Sequence, residues 1–154
     1  MTAPYVDAMT GKMVVTAVTP IYRTGTTEVI AAAGLDFTLD SISAMMSGYT
    51  MGETGFFFLT STDGQLIYHP DAESINTNIA DSGMSANIKD AVLHQQVGNL
   101  VYTSDGAKIH GHIEMVGNTG WTIITGLPEK EYGSTFNTLR VVNLIIILVV
   151  IALI

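Results

Sequence analysis

The fold class is decided by residues 55–70, which read GFFFLTSTDGQLIYHP. Two apolar runs flank Ser61-Thr62-Asp63-Gly64, and an Asp-Gly pair between apolar runs is a strong signal for a β-hairpin. The same pattern recurs downstream, where residues 100–103 and 108–115 flank Ser104-Asp105-Gly106. We therefore predict two hairpins, with a further strand over residues 121–125.

Upstream of this stretch, the sequence predicts two strands and a short helix. Residues 12–20 and 29–37 are rich in β-branched and apolar side chains, and a glycine-containing turn precedes each of them. Leu39, Ile42 and Met46 then fall at helical spacing, which predicts an amphipathic helix.

Further helices are predicted between and after the hairpins. Residues 85–96 carry apolar side chains at helical spacing, whereas residues 71–82 are polar and predicted to be irregular or briefly helical. Pro128 followed by acidic residues is typical of a helix start. The elements together predict an α+β fold, with antiparallel sheets and helices to one side. The order of glycine turn, strand, glycine turn, strand and helix occurs twice, which suggests two copies of one module.

The last fourteen residues, 141–154, read VVNLIIILVVIALI, with Asn143 as the single polar residue. As a helix this run would span about 21 Å, at roughly 1.5 Å per residue. A bilayer core of about 30 Å needs ~20 residues, so we predict a membrane-spanning helix that is cut short. A buried core helix is the alternative, but such a helix on a small domain normally keeps a polar face.

The first residues show no basic region, apolar stretch or cleavage site, so the sequence contains no recognisable export signal. An exported protein would have its signal or first membrane helix upstream of Met1. A tail-anchored cytoplasmic protein is the alternative, and the single flanking Arg140 does not decide the orientation.

The composition excludes several classes of function. The chain has fourteen acidic and six basic residues, for a net charge of −8, and this balance disfavours nucleic-acid binding. The absence of cysteine excludes disulfides, cysteine nucleophiles and thiolate metal sites. No nucleophile, phosphate-loop or zinc-protease motif is present, so we predict a protein that is not an enzyme and has no cofactor.

Several short motifs occur in the order and spacing of a known family. They are Pro4 to Gly11, Ala33 to Asp40, Gly55 to Leu59, Asp63-Gly64, His69-Pro70, Gly120-Trp121 and Pro128. This set resembles the double Cache family, the extracytoplasmic sensor regions of bacterial chemoreceptors and of some histidine kinases and cyclic-dinucleotide enzymes. The resemblance implies two PAS-like Cache modules, a homodimer and a place in the inner membrane.

The resemblance also implies how the chain is divided. Residues 1–50 would be the C-terminal half of a membrane-distal module, and residues 51–132 a membrane-proximal module. Residues 133–154 would lead into the truncated membrane span. On this reading the chain is a fragment, whose missing upstream part holds the front of the distal module.

The resemblance further implies that Tyr5, Asp7 and Asp36 hold the ammonium group of an amino acid or amine. Desolvating an ammonium group requires a carboxylate and other acceptors, so these residue types suit the task. The groups that hold the ligand carboxylate would lie upstream of Met1. The alternative is a scaffold role, in which Asp36 caps the helix that follows and Asp40 is a cap or surface residue.

A metal site is a less favoured alternative to the binding of an amino acid or amine. His110, His112 and Glu114 alternate along one predicted strand and could supply three zinc ligands. The opposite interpretation is a solvated strand face, because Ile109, Ile113 and Met115 alternate with them as predicted core residues. We predict no metal, a structural role for His69 and an exposed His94.

These observations favour the ligand-sensing region of a methyl-accepting chemotaxis receptor, which signals across the membrane. The same region could belong to a sensor histidine kinase or a diguanylate cyclase, since the output would follow Ile154. A membrane-anchored metal-dependent hydrolase and a purely structural surface domain are the remaining hypotheses.

Overall fold

The computed structural model describes residues 1–134 and contains two antiparallel sheets. The first sheet has the order β1-β2-β3, formed by Tyr5–Val6, Met13–Tyr22 and Val29–Thr38, and it is followed by α1 (Leu39–Met46). The second has the order β5-β4-β8-β7-β6, formed by β4 (Phe56–Thr60), β5 (Leu66–Tyr68), β6 (Gly98–Ser104), β7 (Ala107–Met115) and β8 (Thr122–Pro128). The helix α2 (Ala86–Leu93) precedes β6, and residues 129–134 are helical.

Both predicted hairpins are confirmed. Strands β4 and β5 pair antiparallel across the turn at Gly64, which has a φ of 81°. Strands β6 and β7 pair across Asp105 and Gly106, which have φ values of 49° and 80°. Asp and Gly suit these turns because both tolerate the left-handed conformation better than other residues.

The second sheet is covered on one face by α2 and by the segment that precedes it. The side chains buried there are Phe58, Leu66, Ile79, Met84, Ile88, Ala91, Val92, Tyr102, Ile109, Ile113 and Ile124. On the other face, the edge formed by β4 and β5 packs against the first sheet and α1, through Val15, Leu39, Ile42, Leu59, Ile67, Tyr68 and Trp121. The sheets therefore share a core, and α1 lies close to the connection between them.

The structure corrects two predicted helix boundaries. Pro128 is the last residue of β8 rather than the first residue of a helix, which begins at residue 129. Helix α2 ends at Leu93, because Gln95 adopts a left-handed conformation with a φ of 52°. The polar segment 71–82 contains two short 3₁₀ turns, as predicted.

The proposed cap of α1 is also corrected. Thr38, rather than Asp36, caps the helix, since its hydroxyl oxygen accepts the backbone N–H of Ser41 at 3.1 Å. Asp36 lies inside β3, three residues before the first residue of the helix, so its side chain projects from the sheet face. Asp40 is exposed in the first turn of α1, as predicted.

The predicted fold class is confirmed for residues 1–134 as antiparallel sheets with few helices. The order strand, strand, helix occurs twice, as β2, β3 and α1 and as β7, β8 and residues 129–134. The predicted membrane helix lies outside the described residues. Within residues 1–134, no helix has the length and apolar character needed to cross a membrane.

Candidate ligand-binding site

Thr16 joins two of the three predicted binding residues. Its hydroxyl oxygen lies 2.7 Å from the hydroxyl of Tyr5 and 2.6 Å from Oδ1 of Asp36. The sheet explains this arrangement, because Thr16 on the central strand β2 lies directly opposite Asp36 on β3, and β1 flanks β2 on its other side. Opposed residues of an antiparallel pair project from the same face.

The hydrogen bonds of this group have a defined direction. A threonine hydroxyl carries one hydrogen, and Thr16 donates it to the carboxylate of Asp36. Tyr5 must therefore donate its own hydrogen to Thr16. The second carboxylate oxygen of Asp36 and the lone pairs of Tyr5 stay available as acceptors, which is the arrangement that an ammonium group requires.

Asp7 is not part of this group. Its carboxylate accepts the backbone N–H groups of Met9 and Thr10, at 3.3 and 3.0 Å, and the hydroxyl of Thr10 at 2.5 Å. These bonds lower the pKa of Asp7, with the Thr10 hydroxyl as the largest cause. Asp7 therefore stabilises the turn between β1 and β2, a role that uses the acceptors a ligand would need.

The surface around Asp36 is open. Tyr5 is 41% exposed, and Asp36 is also exposed. Gly34 lies two residues before Asp36 on the same strand face, and a β-carbon there would come within 3.2 Å of Cγ2 of Thr16. A depression of about 270 Å³ lies along the same two strands, lined by Ala17, Val18, Thr19, Ala33, Gly34 and Leu35.

The two histidines on β7 have separate partners. His110 Nε2 lies 2.5 Å from the carboxylate of Glu129, and His112 Nδ1 lies 2.8 Å from the side-chain oxygen of Asn99. Across the part of the chain that is described, no three His, Asp or Glu side chains are placed to share a metal ion. Ile109 and Ile113, which alternate with these histidines on β7, are buried, so the opposite face of the strand forms core as predicted.

A second concave region, of about 430 Å³, lies in the segment between β5 and α2. Its ionisable lining consists of His69, Asp71, Glu73, Asp81 and Asp105. His69 Nδ1 accepts the backbone N–H of Asp71 at 3.1 Å, and burial lowers the pKa of this histidine despite the nearby carboxylates. The pKa of Asp71 is lowered, first by the Ser74 hydroxyl. The contacts of His69 with its own turn agree with the structural role predicted for it.

The architecture is shared with solved sensor domains. The extracellular domain of mmHK1S-Z3, a protein classed as a histidine kinase, matches 90% of this chain with a TM-score of 0.75 and 24% identity. The ligand-binding domain of the Pseudomonas fluorescens chemoreceptor CtaA matches 87% with a TM-score of 0.60 and 20% identity. The chain corresponds to 52% and 53% of those two solved chains.

The curated relatives include chemoreceptors. The methyl-accepting chemotaxis protein PscA of Pseudomonas syringae pv. tomato is 33% identical over 53% of this chain, and McpC of Bacillus subtilis is 26% identical over 84%. The matched regions are 13% and 18% of those proteins, so this chain spans a small part of their length. A model of the Cache domain matches residues 2–135, and the chain therefore belongs to the Cache-domain family.

Proposed function

We propose that the chain is the extracytoplasmic sensing region of a transmembrane chemoreceptor that binds an amino acid or a small amine. In this proposal the ligand's ammonium group binds at Asp36, with Tyr5 as a second acceptor and Thr16 as the residue that orients both. Asp7 contributes by fixing the turn that carries Tyr5. The region binds and signals, and it catalyses no reaction.

The observation that carries the proposal is an accessible carboxylate, held in place by Thr16, on the sheet face of a Cache-family chain. Asparagine is bound in the solved ligand-binding domain of Mlp24, and L-arginine in that of PctB. Those domains share the fold of this chain, and a free amino acid carries the ammonium group that Asp36 suits.

The remaining parts of the proposal concern the larger protein. Residues 1–50 would be the back half of a membrane-distal Cache module, and residues 51–132 a membrane-proximal one. Residues 133–154 would lead into a span of the inner membrane, and the receptor would be a homodimer. The shared core between the sheets supports the idea that the modules act together.

A histidine-kinase ectodomain is the second candidate, and the similarity to mmHK1S-Z3 favours it. The two candidates differ in the output domain and not in the site. The ligand chemistry proposed for Asp36 is therefore the same for both.

The test is a thermal-shift screen of the full receptor against amino acids, amines and organic acids without an amine. A ligand at 100 times its Kd should stabilise the folded state by about 2.7 kcal/mol. We expect an amine-containing compound to raise the Tm, and Asp36→Asn to remove that increase. The matched control is Asp40→Asn, which removes the same charge from an exposed position four residues away and should keep the increase. The absence of any shift with amine-containing compounds, or an equal shift in Asp36→Asn, would contradict the proposal.

A further inference from the structure

The turn that follows α1 holds the helix at residues 129–134 through a single carboxylate. Glu131 accepts the backbone N–H of Glu53 at 2.9 Å through Oε1, and the backbone N–H and hydroxyl of Thr54 at 2.8 and 2.5 Å through Oε2. We refer to this contact between Glu131 and residues 52–54 as the Glu131 latch. It joins residues that are 77 and 78 positions apart in the sequence.

The turn is built to receive this carboxylate. An antiparallel bridge between Met51 and Gly55 closes the turn, and the N–H groups of Glu53 and Thr54 within it both donate to Glu131. Gly52 has a φ of 63°, and a β-carbon there would collide with Oε1 of Glu131. Glycine is thus required both for the backbone conformation and for the space that the carboxylate occupies. The hydrogen bonds also lower the pKa of Glu131, with the Thr54 hydroxyl as the largest cause.

The opposite side of the same helical turn is attached to the second sheet. Glu129 pairs with His110 at 2.5 Å and with Lys108 at 3.0 Å. The ring of Tyr132 stacks on that of His110, with centroids 3.8 Å apart. Residues 129 and 132 share one face of a helix, whereas residue 131 faces elsewhere. The helix is therefore held from two sides, by the turn that joins α1 to β4 and by β7.

A groove lies beside this attachment. It has a volume of about 500 Å³, and Met51 and Tyr132 line it together with residues of the second sheet. The hydrogen bonds of the Glu131 latch join the turn to the helix. A movement of α1 reaches the turn over the short segment from Ser47 to Thr50.

We propose that Glu131 is the positioning residue through which the first sheet and α1 set the orientation of the helix at residues 129–134. This inference rests on the proposed function, since it describes how ligand binding at Asp36 would be transmitted. The movement would pass from β3 to α1, then to the 52–54 turn and through Glu131 to the helix. The second sheet would act as the fixed support, through His110 and Glu129.

The test measures a distance across the latch. The chain has no cysteine, so Met45→Cys on α1 and Lys130→Cys on the helix add the only two labelling sites within these 154 residues, and both positions are exposed. Pulsed electron paramagnetic resonance then gives the distribution of distances between them in the full receptor, with any cysteine outside these residues replaced by serine and labelled protein diluted with unlabelled protein. We expect a narrow distribution with Glu131 intact and one at least twice as broad in Glu131→Gln. Gln keeps the shape of the side chain but places an N–H group where an acceptor is needed.

Three further variants make the measurement specific. Glu73→Gln removes the same charge from an exposed side chain far from the helix and should keep the narrow distribution. Thr54→Val removes one of the three donors and should broaden the distribution partly, whereas Thr54→Ser should restore it. An unchanged distribution in Glu131→Gln, with the fold intact by circular dichroism, would overturn the proposal.

The same labels separate this inference from the proposed function. A ligand found by the thermal-shift screen should change the distance in the wild-type receptor and bind Glu131→Gln with unchanged affinity, yet leave the distance in that variant unaltered. An equal change in both proteins would show that other contacts transmit the movement, and the latch proposal would be wrong. If no amine-containing ligand binds, the proposed function fails, and the comparison of distribution widths still decides whether the latch orients the helix.

Discussion

Thr16 donates a hydrogen bond of 2.6 Å to the carboxylate of Asp36, directly across the pair of strands β2 and β3. Because the same hydroxyl accepts from Tyr5, it fixes the positions of both groups on the sheet face. Asp36 is exposed, so without this bond its side chain would rotate freely in solvent. The orientation of the carboxylate thus depends on a residue that would not contact the ligand.

We therefore expect Thr16→Val to weaken binding of an amine-containing ligand about tenfold, the loss expected for a hydrogen bond to a charged group. Thr16→Ser keeps the hydroxyl and should bind like the wild type. Isothermal titration calorimetry gives both affinities, and the free energy of unfolding should change by less than ~0.5 kcal/mol at this partly exposed position. Wild-type affinity in Thr16→Val would show that Asp36 needs no orienting partner.

The second sheet depends on a pair of glycines opposite each other on β7 and β8. Gly126 lies opposite Gly111, and the ring of buried Tyr102 lies across both. A β-carbon at Gly126 would come within 2.6 Å of the Tyr102 hydroxyl oxygen and 2.7 Å of the Phe56 ring. We expect Gly126→Ala to lower the free energy of unfolding by about 1–3 kcal/mol, the usual cost of overpacking.

Urea denaturation measures this effect, with Gly133→Ala as the control. A β-carbon at Gly133 would meet no atom within 4 Å, so that variant should be as stable as the wild type or slightly more stable. Equal stability of Gly126→Ala and the wild type would mean that Tyr102 moves aside without cost.

The sequence was sufficient for the local elements but not for the contacts between them. The Asp-Gly pairs predicted both hairpins, because a turn conformation is encoded in adjacent residues. The role of Thr16 was missed, since it depends on the register of β2 against β3, which the apolar pattern of the two strands does not specify. The sequence leaves a capping role open for Asp36 because it predicts that the strand ends near Phe37, whereas β3 ends at Thr38, which is the cap.

The Glu131 latch illustrates the same limit at longer range. From the sequence, Glu131 is one of the acidic residues predicted in the first turn of a helix, where the helix dipole favours a negative charge. Its three donors come from a turn more than seventy positions upstream, and the pairing of β4 with β8, in which Phe56 lies opposite Gly126, brings that turn close. The prediction of Tyr5, Asp7 and Asp36 as ligand contacts came from family resemblance, and it stays a prediction.

Lys89 holds the segment before α2 in place. Its ammonium group donates to the carbonyl oxygens of Ala80 and Ser82, at 2.8 and 2.7 Å. Lys89→Met keeps the length of the side chain and removes both donors, so we expect a loss of about 1–2 kcal/mol in stability. Hydrogen exchange over residues 79–85 should increase, whereas Lys12→Met, at an exposed position, should leave it unchanged. Unaltered exchange in Lys89→Met would show that the segment is held by its own turns.

His69 makes the stability of the domain depend on pH. Burial lowers its pKa below the ordinary value of 6.5, so the unfolded chain binds a proton at this residue more readily than the folded one. The free energy of unfolding should therefore fall as the pH drops below about 6.5, and this decline should end below the lowered pKa. The carboxylates with lowered pKa values, including Asp71 and Glu131, lose their contribution in a separate window, through and below their ordinary values of 3.8 and 4.5.

His69→Asn should flatten the decline that begins near pH 6.5 and leave the more acidic one in place. An asparagine oxygen can accept the N–H of Asp71 where Nδ1 of His69 now does, so the turn keeps its hydrogen bond while the titrating group is removed. Urea titrations between pH 5 and 8 measure the slope, and His94→Asn at an exposed position should retain it. Persistence of the slope in His69→Asn would assign it to another group. A rise in stability on acidification would contradict the lowered pKa of this half-buried histidine.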